Sequence, residues 1–365
     1  MPADYSRLDS SDFPSALTRK IKTAVVGAGA IGNEVIKNLC LLGVGRVIVV
    51  DPDIVEPSNL TRSIFFRLNE SAGVPKVEAI ANAVGRLFPD TACVPVAAEI
   101  ADVGLQRLSD ADLIFSCVDN ELARLEIAYL AKKLGLPVID AGLAPATERS
   151  RCRVSFFPAA AEAPCFGCLL PPARRRELLT SWSAIRYSCW GFDETAGVEI
   201  VASTPMMASV AGAMQVEYGL RAVIWGEAES FSLLLDLHPG RSFERFTLGR
   251  AVECPLHESF GPPRVPPGED IGSFFADTGP DAALILDWPV CSSAECVDCG
   301  RRWQPRQRVA RFRASGRCPA CGSRHVREDE VLTSITRDSP WRNGRFTDLG
   351  LPENHLYSFR EEAAL

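Results

Sequence analysis

Apolar positions along this chain fall into short continuous runs separated by amphipathic stretches, and the spacing predicts alternating strands and helices. Lys22 to Val26 (KTAVV) reads as a buried strand running into a glycine turn. Asn33 to Leu42 places Val35, Ile36, Leu39 and Leu42 at helical spacing, and Gly43 and Gly45 end that helix. Arg46 to Val50 (RVIVV) is the next strand. Lys76 to Leu87 and Glu121 to Leu134 read as helices. Cys93 to Ala98, Leu113 to Val118, Pro137 to Asp140 and Cys152 to Phe157 read as strands. Met206 to Trp225, apolar and rich in small residues, reads as a buried helix, and Phe231 to Leu237 and Arg245 to Leu248 as late strands. Continuous apolar strands alternating with helices predict an α/β fold, a Rossmann-like parallel sheet with helices on both faces.

The pattern changes further along. Gly261 to Asp270 (GPPRVPPGED) holds four prolines in ten residues, which neither a helix nor a central strand accommodates. The expected division is an α/β domain over 1–258, a proline-rich linker over 259–287, a compact cysteine-rich module over 288–330 and a polar tail over 331–365.

Composition narrows the class. Apolar residues at 47% support a sizeable core, and 23% charged residues fit a soluble globular protein. No run approaches eighteen uninterrupted apolar residues, and the start MPADYSRLDSSDFP lacks the basic-then-apolar order of a secretory signal. The expectation is therefore a cytoplasmic protein without a membrane span. The net charge of −7 hides an asymmetry: nine arginines face two acidic residues between Cys291 and Arg327. Such a patch attracts phosphates or acidic proteins, or is simply a solvated face. Thirteen cysteines, an odd number, argue against a complete disulfide framework, and C-x-x-C pairs in a reducing compartment suggest metal.

Gly27-Ala28-Gly29-Ala30-Ile31-Gly32 is G-x-G-x-x-G between a strand and a helix. Gly27 permits the tight turn, Gly29 lets amides approach a phosphate, and Gly32 lets helix and strand pack closely. The helix start offers unpaired N–H groups to an anion. Asp51 ends the second strand, where a carboxylate binds ribose hydroxyls. By themselves these residues fit an NAD-dependent dehydrogenase. The motifs that follow point elsewhere: Asp51-Pro-Asp53, then Ser58-Asn59-Leu-Thr-Arg62, then Val74-Pro-Lys76, then Val118-Asp119-Asn120. Arg62 and Lys76 can neutralise phosphoryl oxygens, and Asp119 can hold Mg²⁺ at a strand's carboxyl end, a set that a triphosphate needs and a nicotinamide cofactor does not. The alternative is that both cations are surface charges and Asp119 a helix N-cap.

With these motifs in this order, the sequence resembles the ThiF/MoeB-type adenylating enzymes, prokaryotic relatives of ubiquitin-activating enzymes, from about Asp4 to His257. The resemblance assigns Asp51, Asn59, Arg62 and Lys76 to ATP and Asp119 to Mg²⁺. It also matches Asp4-Tyr5-Ser6-Arg7 to the family's R-Y-x-R-Q opening, although Asp4 and Leu8 replace its first arginine and its glutamine. In that family the last arginine reaches into the partner subunit's site, which implies that Arg7 acts in a homodimer. The implied chemistry is attack of a carboxylate on the α-phosphate of ATP.

The resemblance further implies a structural zinc site. The family pairs a C-x-x-C, here Cys165 and Cys168, with a later one, here altered to Cys254-Pro-Leu-His257, so the expected set is Cys₃His. A redox pair at Cys165 and Cys168 is the rival. Cys189 stands where some family members carry a thioester- or persulfide-forming cysteine, and a thiolate is a natural nucleophile against an acyl-adenylate; a buried or idle thiol is the alternative. Cys40, Cys93, Cys117 and Cys152 read as small core residues. Independently of the resemblance, Cys296-x₂-Cys299-x₁₈-Cys318-x₂-Cys321 has the spacing of a zinc ribbon, a second Zn²⁺ site.

The function implied is ATP-dependent adenylation of the C-terminal carboxylate of a ubiquitin-like protein ending in glycine, thioester formation on Cys189 and transfer to a conjugating enzyme. Adenylation for sulfur transfer to a sulfur-carrier protein is the second reading. A non-catalytic nucleic-acid-binding regulator is the third; the scarcity of aromatic residues in the arginine-rich span weighs against it.

Overall fold

The structure, a computed structural model, describes residues 4–143, 151–182, 204–237, 242–257 and 263–361. The chain divides into two compact units. The first comprises 1–100, 108–170 and 193–257, and the second 101–107, 171–192 and 258–365. Among the described residues, no helix is long and apolar enough to cross a membrane.

The first unit is built on an eight-stranded sheet: β1 (Lys22–Val26), β2 (Arg46–Val50), β3 (Ala92–Val96), β4 (Leu113–Ser116), β5 (Val138–Leu143), β6 (Arg151–Phe157), β7 (Phe231–Asp236) and β8 (Ser242–Thr247). Their order is β3-β2-β1-β4-β5-β6-β7-β8. Pairing is parallel from β3 through β5 and antiparallel from β5 through β8. Helix α1 (Ala30–Leu41) joins β1 to β2, α2 (Lys76–Leu87) precedes β3, α3 (Glu121–Leu134) joins β4 to β5, and α4 (Pro205–Trp225) precedes β7.

From β1 the chain moves outward through β2 to β3, whereas from β4 it moves the opposite way to β5. Right-handed crossovers therefore put α1 and α2 on one face and α3 on the other. Val35, Ile36 and Leu39 of α1, Ile80 and Val84 of α2 and Ala211 and Leu220 of α4 share one core with Val25, Val47, Phe115 and Ile139. The strand order reverses between β1 and β4. Such a switch point opens a crevice at the carboxyl ends of the strands, where the fold class binds ligands.

The expected elements of this unit are all present, with ends shifted by a few residues. The largest shifts are three residues: α1 begins at Ala30 rather than Asn33, β5 ends at Leu143 rather than Asp140, and β8 begins at Ser242 rather than Arg245.

The second unit departs from the expected linker, module and tail. Ala282–Cys296 is a fifteen-residue strand, β9, that starts inside the expected linker. It pairs with β10 (Arg302–Trp303), β11 (Gln307–Arg308), β12 (Val326–Thr336) and β13 (Ser358–Glu361). Residues 331–361 are thus sheet and core rather than a polar tail: Ile335, Phe346, Leu349, Leu351 and Tyr357 are buried with Phe275, Leu284 and Val290. The run Ala282 to Val290 (AALILDWPV) was hidden by Asp287 and Pro289. Opposite β12 the register jumps between Ile285 and Val290, which leaves Pro289 in an irregular stretch where its missing N–H costs no ladder bond.

That same stretch carries polar anchors for residues 101–107. Trp288 Nε1 donates to Ala101 O at 3.0 Å, and Leu105 N lies 3.4 Å from Nδ1 of His355, a buried histidine paired through Nε2 with Asp287. Arg308 lies 3.0 Å from Asp102, and Gln106 N donates to Asn354 O at 3.0 Å.

Leu349 is fully buried. Leu349→Ala is expected to destabilise the second unit by about 2–5 kcal/mol, where a residue in a solvated tail would change stability by less than about 0.5 kcal/mol. Urea denaturation followed by tryptophan fluorescence measures the difference.

Candidate functional site

The turn after β1 is shaped by close backbone approach. Gly27 has φ +96°, and a Cβ there would lie 2.6 Å from Cys117 O. A Cβ on Gly32 would lie 2.0 Å from Gly27 O. Around Gly29, the residue that caps α1, a Cβ would meet no atom within 4 Å, so the space above the helix start is open. The loop therefore presses against the end of β4 on one side and leaves room for a ligand on the other.

Asp51 fastens this loop. Its Oδ2 accepts from Ala28 N at 2.7 Å and its Oδ1 from Asp53 N at 2.9 Å. Burial raises its pKa above the ordinary carboxylate value, opposed by the nearby Lys76 charge and these N–H groups. An antiparallel bridge between Ile54 and Pro75 brings Asp51-Pro-Asp53 against Gly73-Val-Pro-Lys76. Lys76, at the first turn of α2 and largely buried, lies 2.7 Å from Asp53 Oδ2 and 3.9 Å from Asp51 Oδ1. Two motifs far apart in sequence thereby become one charged array.

Asn59 closes a short turn, Pro57–Asn59, in which Glu56 N donates to its Oδ1 at 3.0 Å. Half-buried Arg62 leads into Ser63–Phe65, and Phe65 N donates to Asn33 Oδ1 at 3.2 Å. Asn33 Nδ2 in turn donates to Ala28 O at 2.9 Å and Gly29 O at 3.0 Å. Asn33 is fully buried and ties the glycine loop to the Arg62 segment. Sequence reasoning passed over it, although an asparagine on the apolar side of α1 was a visible signal.

Asp119 is exposed just past β4. It is not the N-cap of α3: Asn120 is, with Oδ1 accepting from Ala123 N at 2.8 Å. The capping alternative for Asp119 thus falls away.

Arg7 lies elsewhere. Tyr5 packs on Gly43 just past the far end of α1, its hydroxyl donates to Asp90 at 3.3 Å, and Arg19 stacks over its ring at 5.0 Å. A twelve-residue helix is roughly 18 Å long. Exposed Arg7 therefore sits near the opposite end of α1 from its own chain's glycine loop. Cys189 lies outside the described residues.

Three further polar residues, not singled out in the sequence, organise the ends of β4 and β5. Gln215 of α4 donates to Ser116 O and Ile139 O, both at 3.0 Å. Arg124 of α3 donates to Val118 O at 2.8 Å and Ala141 O at 2.9 Å from the other face. Asp140, 1% exposed, accepts from Ser116 Oγ at 2.7 Å. Asp140 and Gln215 were legible only as polar residues in apolar runs, and Arg124 carried no such signal.

Two cysteine clusters have the geometry of four-donor metal sites. Tetrahedral coordination with 2.3 Å metal–sulfur bonds puts sulfurs about 3.8 Å apart. Cys165 Sγ lies 3.9 Å from Cys168 and 3.7 Å from Cys254, and Cys168 Sγ lies 3.2 Å from His257 Nε2. His257 Nδ1 points at Ala161 O at 3.4 Å, which leaves Nε2 free to ligate. In the second cluster Cys296–Cys321 and Cys299–Cys318 are each 3.6 Å apart. Both sets of four donor atoms converge within 4.8 Å. Convergence of Cys254 and His257 on Cys165 and Cys168 disfavours the redox-pair alternative. Burial pushes the thiols of Cys40 and Cys93 up to about 12 and of Cys152 to about 11, so they stay protonated core groups.

Part of the arginine-rich face is ion-paired. Arg327 and Arg313 lie 2.7 Å and 2.6 Å from Glu295 and Glu328, and Arg308 pairs with Asp102.

The profile described as the ThiF family matches residues 11–256. The chain is 30% identical over 153 residues to the "SAMP-activating enzyme E1" of Haloferax volcanii, covering 42% of this chain and 54% of that protein. It is 32% identical over 154 residues to the "Adenylyltransferase and sulfurtransferase UBA4" of Yarrowia lipolytica, covering 42% and 37%. With "Ubiquitin-like modifier-activating enzyme 5" of Aedes aegypti it shares 29% over 166 residues, covering 42% and 41%. The matched segment thus spans about half or less of these relatives. The fold is similar to that of E. coli MccB solved with ATP, with TM-score 0.50 and 19% identity over 67% of this chain and 68% of that one.

Asn33→Ala would strand the buried Phe65 N–H and remove two donated bonds, at an expected cost of about 1–3 kcal/mol. Asn33→Asp, which cannot donate and buries a charge, should cost at least as much. Denaturant unfolding of both variants beside the parent checks the order.

Proposed function

The chain belongs to the ThiF family, and we propose that it is an ATP-dependent enzyme that adenylates the C-terminal carboxylate of a ubiquitin-like protein ending in glycine. The observation that carries this reading is one array at one switch point: an open glycine loop, Lys76 between two carboxylates, and an exposed Asp119 that is not spent as a helix cap. A hydride carrier has no use for such a set. The names of the relatives agree with it.

In this reading ATP lies with its phosphates against the amides at the start of α1 and its ribose near Asp51. Asn59, Arg62 and Lys76 hold the phosphates. Mg²⁺ on Asp119 would neutralise phosphoryl charge. A carboxylate oxygen of the substrate attacks the α-phosphorus, forming the acyl–phosphate bond as the bond to the β-phosphate breaks and pyrophosphate leaves. The chain's contribution is alignment and charge stabilisation, which together account for most of the rate acceleration in phosphoryl-group chemistry. The placement of Arg7 supports action in trans, in a homodimer, because its own chain's loop is at the far end of α1. Cys189 then takes the acyl group as a thioester for transfer to a conjugating enzyme. Sulfur transfer to a sulfur-carrier protein is the second reading, favoured by the "sulfurtransferase" in one relative's name. The scarcity of aromatic residues in the arginine-rich span, and the ion pairs of Arg308, Arg313 and Arg327, give a nucleic-acid reader little support.

ATP–pyrophosphate exchange should appear only with a ubiquitin-like partner ending in glycine. Lys76→Ala and Asp119→Ala should each lower it by about 10²-fold or more. Cys189→Ala should keep exchange and lose a reducible protein–protein adduct. Binding of NAD in place of ATP, or full exchange in the Lys76 and Asp119 variants, would sink the reading.

Both cysteine clusters are proposed to hold Zn²⁺ structurally, since four protein donors leave no open position. Elemental analysis should find two zinc ions per chain, with one lost in Cys254→Ser and the other in Cys318→Ser. Zinc contributes roughly 10–16 kcal/mol in small zinc peptides, so the Cys318 variant should unfold the module around it.

A further inference from the structure

Two arginines converge on one buried carboxylate in β5, level with the last residue of β4, and the adenylation steps above give neither a task. Asp140 Oδ2 accepts from Arg153 Nη2 at 2.9 Å, and Arg124 Nε lies 3.1 Å from Oδ1. Two guanidinium charges against one carboxylate leave a positive charge uncompensated among the described residues. Arg124 is spent on Val118 O and Ala141 O. Arg153 is not: Asp140 takes only Nη2, and 32% of its side chain is exposed against 12% for Arg124.

The placement suits an incoming substrate. Arg153 stands opposite Gly142, two residues past the row that joins Val26, Ser116, Asp140 and Ser155 across the sheet. It is two strands from β4, about 10 Å at ordinary strand spacing. The Phe166 ring lies 5.8 Å from the Arg124 guanidinium carbon and 5.5 Å from that of Arg153, a packing that helps fix where both side chains sit. Asp140 and Ser116 face α3, whereas the glycine loop leads into α1 on the opposite face. An attacking group must approach the α-phosphorus from the side away from the departing pyrophosphate.

We propose that Arg153 binds the C-terminal carboxylate of the substrate as it enters, with Asp140 as the positioning residue that holds its guanidinium and Arg124 holding Asp140 in turn. This rests on the adenylation reading. A carboxylate paired with Arg153 stays ionised, and after attack its remaining oxygen keeps that partner.

The test uses the full chain and two synthetic ten-residue peptides ending in Gly-Gly, one a free acid and one a C-terminal amide, with affinity read by fluorescence anisotropy. The unaltered chain should prefer the acid about 10-fold or more, the usual scale for a hydrogen-bonded charge. Arg153→Gln should abolish the preference and Arg153→Lys retain part of it, with ATP affinity unchanged in both. Equal binding of acid and amide to the unaltered chain, no binding of either, or an undiminished preference in Arg153→Gln would overturn the proposal. So would weakened ATP binding in place of lost acid preference, which would assign Arg153 to phosphate. Pyrophosphate exchange by the unaltered chain separates the two failures: exchange without acid preference sinks this inference alone, and acid preference without exchange sinks the adenylation reading.

Discussion

The site depends on backbone packed against backbone with no side chain between. Gly32 lies against the Gly27 carbonyl, and Gly27 against the Cys117 carbonyl, at separations that a single methyl group would force apart. This contact places the turn after β1 beside the residues leading to Asp119, two segments about ninety positions apart. Asp51 then bonds an amide of the turn, and Asn33 bonds two of its carbonyls. Candidate residues from four stretches of chain are thus drawn toward one crevice because the loop at its centre occupies so little volume.

Much of this was legible in the sequence, for a physical reason. Strands buried on both faces read as apolar runs, and glycines needed for close approach cannot be replaced by other residues without a clash. KTAVV, RVIVV and the glycine fingerprint therefore announced themselves. Asn33, Arg124, Asp140 and Gln215 did not, because each meets its partners only after the chain folds, across up to about a hundred residues. β9 failed for another reason. A proline and an aspartate inside an apolar run normally argue against a strand, and here an irregular stretch of pairing accommodates both.

The two cysteine clusters do different structural work. The first joins Cys165 to Cys254 across 89 positions, and its neighbour Phe166 supports the guanidiniums of Arg124 and Arg153. The second binds residues at most 25 positions apart and organises a small hydrophobic group of Val309, Phe312 and Ala294 beside β9. Spacing alone revealed the second, since all its donors lie in one short stretch. The first needed knowledge of which distant pairs meet.

The anchoring of residues 101–107 bears on how this polypeptide can be divided. Their backbone and Asp102 bond with Trp288, Arg308, Asn354 and His355, yet they lie between β3 and β4 in the chain. A gene cut after codon 257 would release a protein in which this short detour keeps its polar groups and loses the side chains and carbonyls that satisfy them. The boundary visible in folded space has no counterpart as one cleavage point on the linear molecule. Recombination that swapped the last hundred residues would have to carry a matched piece of the middle with them.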